Sequence, residues 1–441
     1  MPLGAGMHRP DAIAVFQQVQ LRPFERVNDV HFSWMMALGH SFRHQPWRSV
    51  VRRFCWIAFA LTLSMIFASC SSGRNTAMNS VTEKSNPKQT LPSWQKVDLR
   101  NAKLGWSGRV NGERPILAWT ASRLEFRFRG TAFSLQMKSL SDGGMDPSGR
   151  NYFNVLIDGQ DSGNFPISAH ETEIARSGLS DGEHVIAIEK ATEAQCGRVE
   201  VVALKLFGEL LPLEKPKRSI LFFGNSITAG YGIEDSDPAN SYLAETQNGS
   251  VSYAGVVARE LNASRQQICI SGRGLLRNFD GGKDMLLPEF VEWTAPQDHS
   301  PWKDEVSPDV VVIEIGTNDF ALGDPGELAF VLAYQALVKR LMGKYPGAKV
   351  VVVDSPMLTD GWPIDPKTRK PVQSASLLRG YIRQIRGGLT PEYKARFSTF
   401  EFTPQGADVF GYGADYHPNR TQAQCNGEEL AQHLRKVMAW K

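Results

Sequence analysis

Five short apolar runs rich in β-branched residues divide the second half of this chain, and helical segments fill the gaps between them. The runs are "SILFF" (219–223), "QQICI" (266–270), "DVVVIEI" (309–315), "KVVVVDS" (349–355) and "FSTFEF" (397–402). Between them lie "SYAGVVARELN", "GELAFVLAYQALVKRLMGKYP" and "VQSASLLRGYIRQIRGG", and "CNGEELAQHLRKVMAW" closes the chain. In the second segment Leu328, Val331, Leu332, Tyr334, Leu337 and Leu341 recur at helical spacing. Continuously apolar strands alternating with helices specify a parallel sheet covered on both faces. Sheets of this kind place their sites beyond the carboxyl ends of the strands.

The first half follows a different rule. In "SRLEFRFRG" Leu124, Phe126 and Phe128 alternate with charged residues, and in "TAFSLQMKS" Phe133, Leu135 and Met137 do the same. This period of two predicts strands with one face buried. Asp158-Gly159 and Asp181-Gly182 mark turns beside further strands in "YFNVLIDGQ" and "SDGEHVIAIEKAT", and "VEVVALKLFG" ends the series. Strands punctuated in this way predict an antiparallel sandwich over residues 94–212, followed by the α/β domain over 213–441. A chain of 441 residues is too long for one core, and two domains accommodate it.

Residues 1–69 read as a leader. Arg48, Arg52 and Arg53 precede an apolar run from Phe54 to Ser69, and "FASC" then ends at Cys70. A basic region, an apolar region and small residues before a cleavage point make an export signal. The ending resembles a bacterial lipobox with Cys70 as the acylated residue, although Phe67 stands where Leu is usual. An uncleaved anchor or a plain signal is the alternative. Residues 1–34 are read as lying upstream of the natural start, at Met35 or Met36, which leaves 35–69 as the lipoprotein signal. Residues 70–93 are polar and without pattern, the composition of a flexible linker. The expectation is an exported lipoprotein, periplasmic or at the cell surface, that meets the membrane only through this anchor.

Charge excludes one class of partner. The net charge is +3, and the seven arginines of the leader account for the excess. A near-neutral body offers no electrostatic footprint for nucleic acid. No two of the five cysteines form a CxxC pair, and no His/carboxylate cluster stands at ligand spacing, so neither a metal nor a cofactor is expected. Cys196, Cys269 and Cys425 read as buried small side chains.

Four segments fall at one rim of the predicted sheet: Gly224-Asn225-Ser226, "SGRGL" with Gly272, "GTNDF" with Asn318, and "GADYHPN" with Asp415 and His417. The first is not a phosphate loop, because five residues separate Gly224 from Gly230 and Tyr231 follows. It is not a GxSxG elbow either, because Thr228 holds the last position. What remains is a serine at a strand-to-helix turn. Acyl transfer needs a nucleophile, a base, a group that orients the base, and donors for the developing oxyanion. Ser226 can attack, and His417 has a suitable ordinary pKa for general base work. The N–H groups of Ser226 and Gly272, with the Asn318 amide, can form the oxyanion hole. Asp319 reads as a brace for its loop. Tyr416, beside the base, is a candidate to bind substrate through its aromatic face, whereas Trp302 and Trp362 read as packing residues.

"GNSIT", "ISG", "GTND" and "DYHPN", in that order, resemble the four blocks of the SGNH, or GDSL-type, hydrolases. The N-terminal sandwich, "FFGNSITAGYG", "ISGRGLLRNFDGG", "NYFNVLIDG" and "DGEH" resemble carbohydrate esterase family 2, over about Trp94 to Lys441. The resemblance implies a jelly roll before a flavodoxin-like five-stranded domain, and O-acetyl groups on xylan, mannan and related polysaccharides as substrate. It implies Ser226 as nucleophile, His417 as base, and Gly272 and Asn318 completing the oxyanion hole. Two positions depart from the superfamily pattern. Asn225 replaces the usual Asp, at a place read as structural. Asp415 stands two residues before His417 rather than three. In an extended segment residues i and i+2 share a side, so Asp415 is a candidate to orient the ring, and backbone carbonyls are the alternative. Two other functions stay open here: a lipase or lysophospholipase of the same superfamily, and a non-catalytic carbohydrate-binding lipoprotein.

Overall fold

The computed structural model describes residues 93–110, 114–140, 150–167, 171–304 and 307–441. The leader, Cys70 and nearly all of the linker lie outside the described residues.

Among the described residues the N-terminal half is an antiparallel nine-stranded network built on two long strands, Arg123–Ser139 and Val199–Leu211. The two alternating stretches of the sequence are therefore one strand, and their phases differ. The fully buried apolar side chains are even-numbered through Phe128 (Leu124, Phe126, Phe128) and odd-numbered from Phe133 (Phe133, Leu135, Met137). A bulge between Gly130 and Ala132 absorbs this slip of one residue. The strand also folds over at that point. Phe126 and Phe133 would be ~23 Å apart on a straight strand, yet their ring centroids are 5.7 Å apart. Gly130 pairs with Gly208 at the corner. A Cβ on Gly130 would lie 2.2 Å from the Phe207 carbonyl oxygen, and one on Gly208 would lie 2.0 Å from that of Arg129. Only two glycines allow the backbones to approach this closely. The fold creates two layers that enclose Phe126, Phe128, Phe133, Leu135, Phe153 and Ile186.

The C-terminal half contains the parallel sheet. We label its strands β1 (Arg218–Gly224), β2 (Ala263–Cys269), β3 (Val310–Glu314), β4 (Lys349–Val353) and β5 (Phe397–Phe400). Their order is β2-β1-β3-β4-β5. The helices are α1 (Tyr253–Glu260), α2 (Glu327–Lys344), α3 (Ser374–Ile385) and α4 (Arg420–Met438). Alternate residues of each strand feed opposite faces. Leu221, Phe223, Val311 and Ile313 pack with α2 and α3. Ile220, Phe222, Val310 and Val312 pack with α1 and α4. Burying each such side chain contributes about 1.5–3 kcal/mol. The sequence placed Leu328 and Leu332 on the packed face of α2. The structure exposes both, and seats Phe330, Tyr334, Leu337, Val338, Leu341 and Met342 against the sheet. The apolar content of α2 exceeds one face, and only contact with the sheet selects which stripe is buried.

The two halves share core and hydrogen bonds. Trp119 of the antiparallel domain is fully buried in the core of the parallel one, and its indole N–H donates to the Thr294 carbonyl at 2.8 Å. Asn154 donates to Asn248 and Ser250, each at 2.8 Å. Cys196 and Cys269 are buried and Cys425 is partly exposed, and Cys196 Sγ lies 2.9 Å from the Tyr242 hydroxyl.

Candidate active site

Strand order reverses between β1 and β3, and the crevice at such a switch point is where α/β sheets bind ligands. β1 ends at Gly224, level with Cys269 at the end of β2, and Phe223 pairs with Ile313 of β3. The segments that follow therefore share one rim. Ser226 opens a single helical turn, Ser226–Ala229, whose cap is Asn225. The Asn225 carbonyl oxygen of the side chain accepts from the Ile227 N–H at 2.9 Å. Its amide donates to Glu314 at 3.3 Å and to Thr317 at 3.4 Å. Glu314 is fully buried, and burial pushes its carboxyl up to about 8. An Asp at 225 would keep the cap but put a second acceptor where Glu314 now receives an N–H. Asn225 supplies both the cap and the donor.

Ser226 Oγ lies 2.8 Å from His417 Nε2. On the other side of the ring, Nδ1 faces the carbonyl oxygens of Ala414 and Asp415, each at 3.2 Å. Both are pure acceptors, so Nδ1 holds the proton and Nε2 is left to accept from the serine. The Tyr231 ring packs over the imidazole with centroids 4.2 Å apart. Desolvation pushes the His417 pKa down to about 4, so the ring is neutral and able to take a proton throughout the neutral range.

The Asp415 carboxylate does not orient this ring. Its Oδ2 accepts instead from the Tyr231 hydroxyl at 2.8 Å and from the Tyr242 N–H at 3.1 Å. The i, i+2 relation assumed an extended segment. Asp415 and Tyr416 instead have φ of +47° and +58°, so the chain turns between the acid and the base. The Asp415 N–H donates to the Asn240 carbonyl and the Ala414 N–H to that of Gly232, at 3.0 and 3.1 Å, and these bonds hold the turn. The backbone carbonyls take the orienting position, the alternative that the sequence left open.

On the oxyanion side, Gly272 has φ +78°, and a Cβ there would meet the Phe279 ring at 2.9 Å. Among the described residues the N–H groups of Ser226 and Gly272 have no acceptor. Asn318 is buried, and its amide donates to the Arg273 carbonyl at 2.8 Å, which ties β3 to the Gly272 loop and leaves its second N–H free. The fully buried Asp319 braces the same loop through the N–H groups of Leu275, Leu276 and Arg277, at 2.6 to 3.2 Å. Tyr416 is exposed beside His417, with its ring 5.5 Å from that of Tyr412. Trp302 lines a cavity with Arg109 and Lys303 that no site residue borders, and Trp362 is exposed. Sequence reasoning missed the half-buried Tyr231 and Tyr242, which hold Asp415, and the exposed Phe279 against Gly272. The one signal was an aromatic within five residues of the serine in "GNSITAGYG". No cluster of three or more His, Cys, Asp or Glu able to hold a metal occurs among the described residues.

A serine hydroxyl hydrogen-bonded to a neutral imidazole, beside a set of free N–H donors, is an arrangement able to perform acyl transfer. Comparison with known proteins agrees. Residues 222–424 match the GDSL-like Lipase/Acylhydrolase family, and residues 106–216 match the carbohydrate esterase 2 N-terminal domain. The cellulase/esterase CelE of Acetivibrio thermocellus is 32% identical over 78% of this chain, which spans only 41% of that protein's length. An acetylxylan esterase / glucomannan deacetylase of Cellvibrio japonicus is 29% identical over 66% of this chain and 78% of its own. A family two carbohydrate esterase from Clostridium thermocellum, solved with cellohexaose, superposes with a TM-score of 0.68 at 30% identity, over 77% of this chain and all of that one. The chain therefore belongs to carbohydrate esterase family 2, and its parallel sheet is the GDSL-like half of that architecture.

Proposed function

We propose that this protein is a serine esterase that removes O-acetyl groups from plant cell-wall polysaccharides such as acetylated xylan and glucomannan. The observation that carries the reading is the 2.8 Å contact between Ser226 Oγ and the unprotonated Nε2 of His417. Ser226 Oγ attacks the acetyl carbonyl while His417 takes its proton. The carbonyl oxygen becomes an oxyanion, received by the N–H groups of Ser226 and Gly272 and by the free amide hydrogen of Asn318. The positive imidazolium is stabilised at Nδ1 by the Ala414 and Asp415 carbonyl oxygens. His417 then gives the proton to the departing sugar hydroxyl. Water, activated by the same nitrogen, releases acetate from Ser226. The names of the relatives supply the acetylated-glycan substrate class, and the exposed Tyr416, next to His417 in the chain, and Phe279, against Gly272, offer stacking surfaces for sugar rings.

Acetate release from acetylated xylan and from acetylated glucomannan, measured side by side, tests the reading. Hydrolysis of p-nitrophenyl acetate should exceed that of long-chain esters, and Ser226→Ala should abolish both. Undiminished hydrolysis by that variant would overturn the assignment. For the leader we propose export and lipid anchoring at Cys70. Cys70→Ala should move the protein from the membrane fraction to the soluble one in its host, and an unchanged distribution would refute the anchor.

A further inference from the structure

The oxyanion hole is gripped from behind by the other domain. Strand Gly182–Lys190 of the antiparallel domain leads into a short turn, Ala194–Cys196, which follows Glu193. Glu193 is fully buried. Its carboxylate accepts from the Ser271 N–H at 2.8 Å, from the Ser271 hydroxyl, and from the Gln247 amide at 3.1 Å. Gln195, two residues on, donates to the Ser271 carbonyl oxygen at 3.1 Å and to Glu193 at 3.4 Å. Ser271 is thus held at its N–H, its side chain and its carbonyl by residues 76 and 78 positions away.

The carbonyl of Ser271 and the N–H of Gly272 belong to one peptide unit. That unit is planar and trans, so its oxygen and hydrogen point in opposite directions. Whatever fixes the Ser271 oxygen therefore aims the Gly272 N–H. A donor on the oxygen also polarises the amide and strengthens its N–H as a hydrogen-bond donor. On the far side the Gly272 carbonyl accepts from the Phe279 N–H at 3.0 Å, so the loop is anchored both before and after the glycine.

We infer that Glu193 and Gln195 are positioning residues for catalysis, by which the antiparallel domain aims the Gly272 N–H at the oxyanion. The domain is on this account part of the catalytic apparatus and not only a neighbour of it. The inference rests on the esterase reading above. Glu193→Gln keeps the shape but confronts the Ser271 and Gln247 donors with a further N–H₂ group. Gln195 is only partly buried, so Gln195→Ala provides a mild variant should Glu193→Gln fail to fold.

The test uses the full chain with p-nitrophenyl acetate, and measures kcat, KM and the affinity for a trifluoromethyl ketone that mimics the tetrahedral state. Loss of one oxyanion donor costs ~10²–10³ in kcat, and misaiming one should cost ~10-fold in Gln195→Ala and ~10²-fold in Glu193→Gln. KM should stay within ~2-fold, while affinity for the mimic falls by the same factor as kcat/KM. Wild-type kcat and mimic affinity in folded Gln195→Ala would overturn the inference. A wild-type protein that hydrolyses no acetyl ester and takes no fluorophosphonate label at Ser226 would instead bring down the esterase reading, and this inference with it.

Discussion

Replacing Asp415 by Asn separates two ways of holding the base. In a serine hydrolase whose carboxylate binds the histidine, the Asp→Asn change costs ~10⁴ in kcat because the amide imposes the wrong tautomer. That loss corresponds to about 5.4 kcal/mol of transition-state stabilisation. Here the tautomer is set by the carbonyl oxygens of Ala414 and Asp415, 3.2 Å from Nδ1, and the substitution leaves them in place. Both bonds to the Asp415 side chain converge on Oδ2, from the Tyr231 hydroxyl and the Tyr242 N–H, and the single oxygen of Asn can accept both. Asn also tolerates the φ of +47° at this position. What is lost is the negative charge near the imidazolium, a through-space effect worth at most about 1.4 kcal/mol, or ~10-fold in kcat, at an exposed residue. Initial rates with p-nitrophenyl acetate across pH 4–9 measure it. A fall approaching ~10⁴ would refute the backbone account and return Asp415 to the role of orienter.

Four further outcomes are expected. Asn318→Ala should lower kcat by ~10²–10³ with little change in KM, read by steady-state kinetics, since it removes one oxyanion donor. The acid limb of kcat/KM should fall near pH 4 rather than 6.5, because burial pushes His417 down to about 4 and activity needs the neutral ring. The same shift means that His417 contributes stability above its unfolded pKa that is lost as pH falls from about 6.5 through 4. Glu314 has the opposite sign, because its folded pKa of about 8 lies above the ordinary 4.5. The folded state holds this proton more tightly, so stability should decline as pH rises from 4.5 towards 8. Glu314→Gln should remove that slope, on the order of a few kcal/mol by pH 8 in denaturant titrations.

The parallel sheet was legible because its signal is local. A strand buried on both faces is apolar at every position, as in "DVVVIEI", and the neighbours it meets do not alter that requirement. Ser226, Gly272, Asn318 and His417 could be grouped from sequence because each lies just beyond such a strand or before the last helix, and topology alone brings those points to one rim. The serine's environment was less legible. Asn225 read as a departure from a motif until buried Glu314 supplied the reason, 89 residues away.

Tertiary structure decided what periodicity cannot encode. Strand 123–139 doubles back because Gly130 and Gly208 meet across a ladder, a coincidence of two distant glycines. The buried stripe of α2 was chosen by the sheet beneath it, since apolar residues lie on more than one of its faces. The orientation of His417 turned on the sign of φ at Asp415 and Tyr416, which bonds to Asn240 and Gly232 hold in the left-handed region. Composition and spacing report how much of a residue is buried. Hydrogen-bond partners from other parts of the chain determine where it points, and in this protein that direction separates a catalytic carboxylate from a structural one.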